Sequence, residues 1–169
     1  MAAFIDRFDE VSLARITQLT NKSNQFNLTT RRYTQSEMEA VFSDENYIKI
    51  YGRLADKFGD NGIVSVVIGR TEGTSLHIDL WLMSCRVLKR EMEYAMLDRL
   101  VDICRKKGIS EIHGYYYKTA KNSMVKNLYS DFGFTKTNED ENENSAFVLD
   151  ISGYTNKNKS INVTDNGGY

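Results

Sequence analysis

Residues 75–104 read in order as a strand, a short basic turn and an amphipathic helix, and this order restricts the folds open to the chain. The apolar run before the turn is typical of a buried strand, and apolar residues return at helical spacing from Met92. Arg86, Lys89 and Arg90 stand between the two, where the first free amides of the helix point outward. Such a helix start suits an anion, so the segment predicts an α/β fold with an anionic ligand at this turn.

Length and charge limit the protein class. A chain of 169 residues is long enough for one domain with a real core. Its formal net charge of −1 gives little support to nucleic-acid binding. The first residues lack a signal-peptide pattern, and no apolar run approaches the roughly 18 residues of a membrane span. Two cysteines make no disulfide framework, so we expect a cytoplasmic protein with reduced thiols and no membrane partner.

The predicted elements follow the order α-α-β-β-β-α-β-α-β-β, which indicates a mixed α/β (α+β) fold. Thr34 and Glu37 have capping-box spacing at the second helix, and Gly108 is positioned to end the third. We expect one domain over residues 1–152 and a polar, disordered tail over 153–169. The predicted helices cover 12–22, a short stretch from 35, 92–107 and 122–132, and the strands cover 47–54, 63–68, 75–83, 110–117, 134–137 and 146–151.

The element order and the turn after the predicted strand 75–83 resemble the GNAT acyltransferase superfamily. In that family this turn reads Arg or Gln, two residues, Gly, one residue, then Gly or Ala, and its amides hold the pyrophosphate of acyl-CoA. Arg86 matches, whereas Lys89 and Glu91 replace the small residues. The resemblance implies a mixed central sheet with splayed middle strands and helices on its faces. It also implies a CoA-binding set, namely Leu82, Met83, Ser84, Arg86, Val87, Leu88, Lys89, Arg90, Glu91 and Asn122.

A narrower resemblance covers roughly residues 12–134. The segments 18–33, 58–64 and 81–88 are similar to the C-terminal GNAT-like half of FkbH-like proteins, which load an acyl group onto a carrier-protein thiol. The resemblance implies an acyltransferase that takes its acyl group from a CoA or phosphopantetheine carrier thioester, in secondary-metabolite or surface-glycan biosynthesis. An amine N-acetyltransferase using acetyl-CoA and a non-catalytic carrier-binding module are the alternatives. The acyl group, its small-molecule or protein acceptor and the oligomeric state stay open.

Two residues of the predicted helix 122–132 have roles implied by the superfamily. Tyr129 corresponds to a tyrosine that protonates the leaving thiolate, and a phenol titrating near ~10 remains a donor at neutral pH. Its alternative is a core aromatic residue, since Val125 and Phe132 flank it at helical spacing. Asn122 is predicted to cap the helix and to contact the pantetheine arm.

Cys85 lies between the predicted strand and helix, where the helix start and Arg86 favour a thiolate. A covalent acyl intermediate on Cys85 is therefore one hypothesis, and a small buried residue is the other. Cys104 is predicted to be a core residue. His113 is a candidate base near Cys85 if the two strands separate, and otherwise an ordinary sheet residue. Two histidines and no clustered ligands give no support to a metal site.

A polar amide cluster around one aromatic residue, at 24–27, is unusual as core material and predicts a wall of the acyl or acceptor pocket. The alternative is a loop held by side-chain-to-backbone hydrogen bonds. The predicted substrate-contacting residues are Asn24, Gln25, Phe26, Asn27, Arg31, His113 and Tyr116.

The predicted mechanism is direct transfer along the splayed strand. The thioester carbonyl would accept a hydrogen bond from a backbone N–H near Met83 or Ser84, which would stabilise the tetrahedral oxyanion. The acceptor would attack, and Tyr129 would protonate the departing thiolate.

Overall fold

Eight strands form one sheet in the computed structural model, which describes residues 1–87 and 91–169 and, for Arg86, only the backbone. Their spatial order is β6-β7-β5-β4-β3-β2-β1-β8. The strands are β1 (Ala2–Arg7), β2 (Tyr47–Asp56), β3 (Gly59–Glu72), β4 (Ser75–Met83), β5 (Glu111–Tyr116), β6 (Thr135–Glu139), β7 (Ser145–Asp150) and β8 (Asn162–Thr164).

Helices cover both faces of this sheet. On one face α1 and α2 bury Ile16 and Met38 against Val66 and Leu80. On the other face α3 buries an almost continuous apolar side, and α4 packs beside it. The predicted capping box of Thr34 and Glu37 is present at the start of α2. The helices are α1 (Leu13–Lys22), α2 (Gln35–Ser43), α3 (Met92–Lys106) and α4 (Leu128–Asp131).

The predicted helix over 122–132 is broken in the structure. A 3-10 turn spans Ser123–Val125, and only the four residues of α4 are α-helical. Asn127 leaves the helical region between them, with φ −104° and ψ 8°. Ser and Asn have lower helix propensity than straight-chain residues, and apolar spacing alone does not take this difference into account.

The segment 153–169, predicted to be a disordered tail beyond a domain ending at residue 152, lies against the domain along much of its length in the structure. β8 pairs in parallel with β1, a strand that the sequence did not predict. Asp98 on α3 accepts hydrogen bonds from the backbone N–H groups of Lys157 and Asn158. Asp6 on β1 accepts them from Asn166 and Gly168. Two carboxylates therefore hold a segment whose composition contains little apolar surface.

The middle of the sheet is splayed, as the resemblance predicted. β4 and β5 pair in parallel at three positions, the last of them His77 opposite His113. β4 also has one extra residue, Asp79, relative to β3. Ile68 pairs with Leu80, whereas the next residue, Gly69, pairs with Ile78. Such a bulge reverses which face the following residues occupy. Beyond it Trp81 packs with α3 and α4, whereas Leu82 packs with the opposite helices.

Gly114 provides a test of this packing. A Cβ atom at this position would lie 2.6 Å from Cζ of Tyr129, closer than side-chain contacts allow. We expect Gly114→Ala to reduce the free energy of unfolding by about 2 kcal/mol, measured by urea denaturation. Gly153→Ala is the control, because no atom lies within 4 Å of its added Cβ. Equal stability of the two variants would contradict the placement of Tyr129 against β5.

Candidate functional site

A cavity of about 760 Å³ opens at the C-terminal end of β4. The last two turns of α1 form one wall, and the chain after α1 forms the second. The end of β4 with the 3-10 turn Cys85–Val87 forms the third. The lining residues are Arg15, Leu19, Lys22, Ser23, Asn24, Gln25, Phe26, Met83, Ser84, Cys85 and Lys121.

The charge of this cavity is positive. Arg15, Lys22 and Lys121 line it, and the described residues of its lining include no carboxylate. None of the three cations has an acidic partner within the described part of the chain, where Arg15 Nη1 donates to Gln18 Oε1 at 2.5 Å. Lys22 and Lys121 are exposed and free to turn toward a ligand. Because the protein as a whole carries −1, this local excess of cations indicates an anionic ligand.

Cys85 is the reachable thiol at this site. It is exposed and lines the cavity, and the buried Val87 side chain anchors the 3-10 turn that presents it. Cys104 lies in the core on α3, as predicted, and burial raises the pKa of its thiol to about 12. Thiolate chemistry is therefore possible at Cys85 and not at Cys104.

The residues of the amide cluster at 24–27 have two different roles: some line the cavity, and one holds the loop together. Asn24, Gln25 and Phe26 line the cavity, and Gln25 is exposed. Asn27 is fully buried, donates Nδ2 to the Ser23 carbonyl at 3.2 Å and accepts the Thr30 N–H at 2.9 Å. Asn27 therefore holds the loop in shape, as the alternative interpretation had it, and does not face the cavity.

Residues 26–29 fill the gap that opens between β4 and β5. The Leu28 N–H donates to the Trp81 carbonyl at 3.1 Å, and the Tyr117 N–H donates to the Leu28 carbonyl at 2.8 Å. Thr29 Oγ1 donates to the Asp79 carbonyl at 2.7 Å. One short segment thus bonds β4 on one side and the end of β5 on the other. It satisfies backbone groups that the separated strands would otherwise leave unpaired.

The two backbone donors predicted for the thioester carbonyl are already bonded. Met83 N–H donates to the Phe26 carbonyl at 3.0 Å, and Ser84 N–H donates to the Val64 carbonyl at 2.7 Å. In this arrangement neither group is available to an oxyanion. The direct-transfer geometry expected from the sequence is therefore not assembled here.

Tyr129 lies in the core, 1% exposed, and does not line the cavity. Its ring packs against Trp81, Phe134 and Phe147. Burial raises the pKa of its phenol above the ordinary value. The hydroxyl has no hydrogen-bond partner among the described residues. In this position the phenol cannot reach a thiolate in the cavity, which favours the core interpretation of the residue.

Asn122 joins three parts of the chain through its buried amide. Nδ2 donates to the carbonyls of Asn27, at 3.0 Å, and Tyr117, at 2.9 Å. Oδ1 accepts the Thr119 N–H at 2.8 Å and the Tyr116 hydroxyl at 3.2 Å. The side chain makes no helix-capping hydrogen bond. The predicted capping role is therefore corrected: Asn122 fastens residues 26–29 to the end of β5.

His113 and Tyr116 lie outside the cavity. His113 stacks on His77, with ring centroids 4.7 Å apart, at the last paired position of β4 and β5. His77 and Met83 are six residues apart on β4, roughly 20 Å along a strand, so His113 is too far from Cys85 to act as its base. Tyr116 is buried.

Arg31 and Leu82 also lie away from the cavity. Arg31 pairs with Asp79 at 3.5 Å, and its guanidinium lies over the Tyr33 ring at 5.4 Å. The Leu82 side chain is fully buried in the core between the sheet and α1 and α2. Only some of the site residues predicted from the sequence therefore lie together at the cavity.

Solved structures identify the architecture. The chain is similar to a GNAT-family acetyltransferase from Streptococcus pneumoniae, with 15% identity, a TM-score of 0.69 and coverage of 89% of this chain and 99% of that one. Ard1 from Thermoplasma volcanium matches with 16% identity, a TM-score of 0.68 and 89% and 98% coverage. PaiA N-acetyltransferase from Thermoplasma acidophilum, solved in complex with coenzyme A, matches with 15% identity, a TM-score of 0.64 and 89% and 99% coverage. The chain has the GNAT acetyltransferase fold. No protein-family model matches the sequence, and no curated protein is significantly similar to it.

The chain between β4 and α3 is where the sequence predicts a pyrophosphate site. Leu88, Lys89, Arg90 and the side chain of Arg86 lie outside the described residues. Glu91 directly precedes α3 with φ +62° and ψ 14°, a left-handed conformation that glycine adopts far more easily. Its carboxylate accepts a hydrogen bond from Ser160 Oγ at 2.5 Å. The backbone at position 91 thus has a conformation that favours glycine, although the residue there is a glutamate.

Sequence reasoning missed the cations of the cavity. Arg15 and Lys22 belong to the polar side of α1, and Lys121 directly precedes Asn122. Their common feature is proximity to the predicted cluster at 24–27, which is visible only once α1 is placed against the end of β4. Lysines on polar helix faces are common, so the sequence carried little signal.

The described residues contain neither a metal-ligand cluster nor a membrane-spanning helix. No group of three or more His, Cys, Asp or Glu side chains is arranged to hold a metal ion within the ranges 1–87 and 91–169. In the same ranges no helix is long and apolar enough to cross a bilayer.

The Asn122 amide provides a test of the site's framework. Asn122→Ala removes four hydrogen bonds, two of them fully buried, so we expect a loss of about 3 kcal/mol in the free energy of unfolding. Asn127→Ala is the matched control, because Asn127 is exposed and makes no capping hydrogen bond. Chemical denaturation of both variants measures the difference. A loss below about 1 kcal/mol for Asn122→Ala would show that this amide does not hold the segment.

Proposed function

We propose that the protein is an acyltransferase that takes its acyl group from a phosphopantetheine thioester, bound as acyl-CoA or on a carrier protein. One observation carries the proposal: among the described residues, the cavity at the end of β4 is lined by three cations without an acidic partner, by an exposed thiol and by no carboxylate. Cations suit the phosphate of such an arm, and the thiol suits its thioester. The GNAT fold supports the assignment, since one similar acetyltransferase was solved with coenzyme A.

The reaction runs through Cys85 in this proposal. The Cys85 thiolate attacks the carbonyl carbon of the donor thioester, and the carbon–sulfur bond to the donor breaks. The donor leaves as a thiolate and takes a proton from water to become a free thiol. The acceptor nucleophile then attacks the acyl-Cys85 thioester, loses its proton and releases the Cys85 thiol. This route needs neither the bonded N–H of Met83 nor the buried hydroxyl of Tyr129.

Gln25 and Lys121 have supporting roles. Gln25 is exposed at the cavity, and its side-chain amide can donate a hydrogen bond to the acyl oxygen. Lys121 offers an ammonium group to the phosphate of the arm. Both act by placing the thioester carbon near Cys85.

A non-catalytic module that binds the same arm is the second candidate. The hydrogen bonds of the Met83 N–H and the Trp81 carbonyl favour this candidate. Both groups bond residues 26–28, so a thioester lying along β4 would find no free backbone partner there. The acceptor separates the catalytic possibilities. Transfer to amines would indicate an N-acetyltransferase, and transfer to a carrier-protein thiol would indicate an enzyme of carrier-dependent biosynthesis.

Intact-mass measurement tests the covalent route. After incubation with acetyl-CoA alone, we expect one acetyl adduct on the wild-type protein and none on Cys85→Ala. Cys104→Ala is the matched control and should keep the adduct, because that thiol is buried. Free CoA thiol should appear in step with the adduct. Binding of acetyl-CoA without any adduct would favour the non-catalytic candidate.

The cations provide a separate prediction. Lys22→Gln and Lys121→Gln should each weaken the binding of CoA roughly 3- to 10-fold at low salt, since each removes one charge beside the phosphate. Lys159→Gln, an exposed lysine that does not line the cavity, should leave the affinity unchanged. Isothermal titration at two salt concentrations measures the effect. Equal affinity of all four proteins would place the anion elsewhere.

A further inference from the structure

Residues 26–29 occupy a place in the sheet that neither β4 nor β5 fills. The two strands separate after the His77–His113 pair, and the segment enters the gap with a single bridge, Asn27 opposite Leu82. It forms hydrogen bonds with the Trp81 carbonyl and the Met83 N–H, which are the β4 backbone groups that face the gap. The segment therefore behaves as an internal strand one bridge long.

The loop that carries this internal strand is held together largely by its own bonds. Arg32 donates to the carbonyls of Thr20 and Ser23 at the end of α1 and to Oδ1 of Asn24. Asn27 bonds the Ser23 carbonyl and the Thr30 N–H. Because these bonds stay within the loop and the end of α1, the loop can keep its shape while its bonds to β4, β5 and Asn122 break and the side chains of Phe26 and Leu28 leave the core.

The closed arrangement leaves three buried polar atoms without partners on the loop, on β4 and beside β5. Among the described residues, Thr30 Oγ1, Trp81 Nε1 and the Tyr129 hydroxyl have no hydrogen-bond partner. Thr30 belongs to the loop and has φ +53°, which is strained for a β-branched residue. Trp81 belongs to β4, and Tyr129 packs on β5 at Gly114. Buried groups of this kind are normally satisfied, so the elements that border the gap are incompletely satisfied in the closed form.

We propose that residues 26–29 are a detachable internal strand that keeps the β4 edge closed to ligands. With the strand in place, an arm entering the cavity meets Phe26 and stops beside Cys85. With the strand released, the Trp81 carbonyl and the Met83 N–H become available, and the cavity extends into the gap. The identity of the arm rests on the proposed function; the detachment of the strand does not.

Substitutions in this strand should change ligand affinity in the direction opposite to substitutions in an ordinary binding loop. An arm that reaches Cys85 in the closed form and also bonds the β4 backbone in the open form binds the open form more tightly, so its apparent affinity rises with the fraction of open molecules. A substitution that weakens the strand without touching the cavity therefore tightens binding. A substitution in a loop that contacts the ligand would weaken it.

Thr29→Val is suited to this test, since it removes one hydrogen bond to the Asp79 carbonyl and nearly preserves side-chain shape. Thr71→Val is the matched control, because Thr71 Oγ1 also donates to a backbone carbonyl, that of Asn46, at the far end of β3. In native-state hydrogen exchange, the amides of Leu28, Met83 and Tyr117 should share one opening below the global unfolding limit. Thr29→Val should speed their exchange roughly fivefold, and Thr71→Val should not.

Titration with acetyl-CoA completes the test on the same proteins. Thr29→Val should bind more tightly than wild type, by up to the same factor, and Thr71→Val should match wild type. Exchange of the three amides only through global unfolding would overturn the detachable strand. Faster exchange with unchanged or weaker binding would overturn its role in closing the β4 edge to ligands. Absence of acetyl-CoA binding in all three proteins would overturn the proposed function instead, and the exchange data would still decide whether the strand detaches.

Discussion

The buried amide of Asn122 holds together the part of the molecule where the sheet is incomplete. When β4 and β5 separate, each exposes a row of backbone groups to a gap inside the protein, and such groups must find partners. Residues 26–29 supply those partners, and the four hydrogen bonds of Asn122 attach the segment to the end of β5. The position of Phe26, and with it one wall of the cavity, follows from this arrangement.

The same arrangement leaves the cavity at Cys85, and not the edge of β4, as the place where a reaction can occur. A thioester along β4 would need backbone donors that residues 26–28 already use, and the Tyr129 hydroxyl lies in the core. What remains open is the cavity beyond the end of β4, with its cations and Cys85. This is the physical reason for proposing chemistry at the thiol within a GNAT fold. The acidic side chain at Glu91, on a backbone that suits glycine, is a second departure at the same end of the sheet.

Local sequence patterns predicted much of the fold. Apolar spacing located α1 and α3, and the capping box located the start of α2, because these signals depend only on neighbouring residues. The strand β8 and the folding of 153–169 were missed, since Asp6 and Asp98 recruit that segment from far along the chain. The predicted length of the last helix was wrong because apolar spacing does not reveal the non-helical backbone at Asn122 and Asn127.

For the candidate site, the sequence alone selected two segments that line one cavity: residues 24–26 of the amide cluster, and the strand end at Met83, Ser84 and Cys85. Residue type and turn position were enough for that. Only the tertiary structure decided the roles, because burial and hydrogen-bond partners depend on contacts between distant parts of the chain. Asn27 and Asn122 turned inward to complete the sheet, Tyr129 entered the core, and Lys121 came to the cavity from beyond β5.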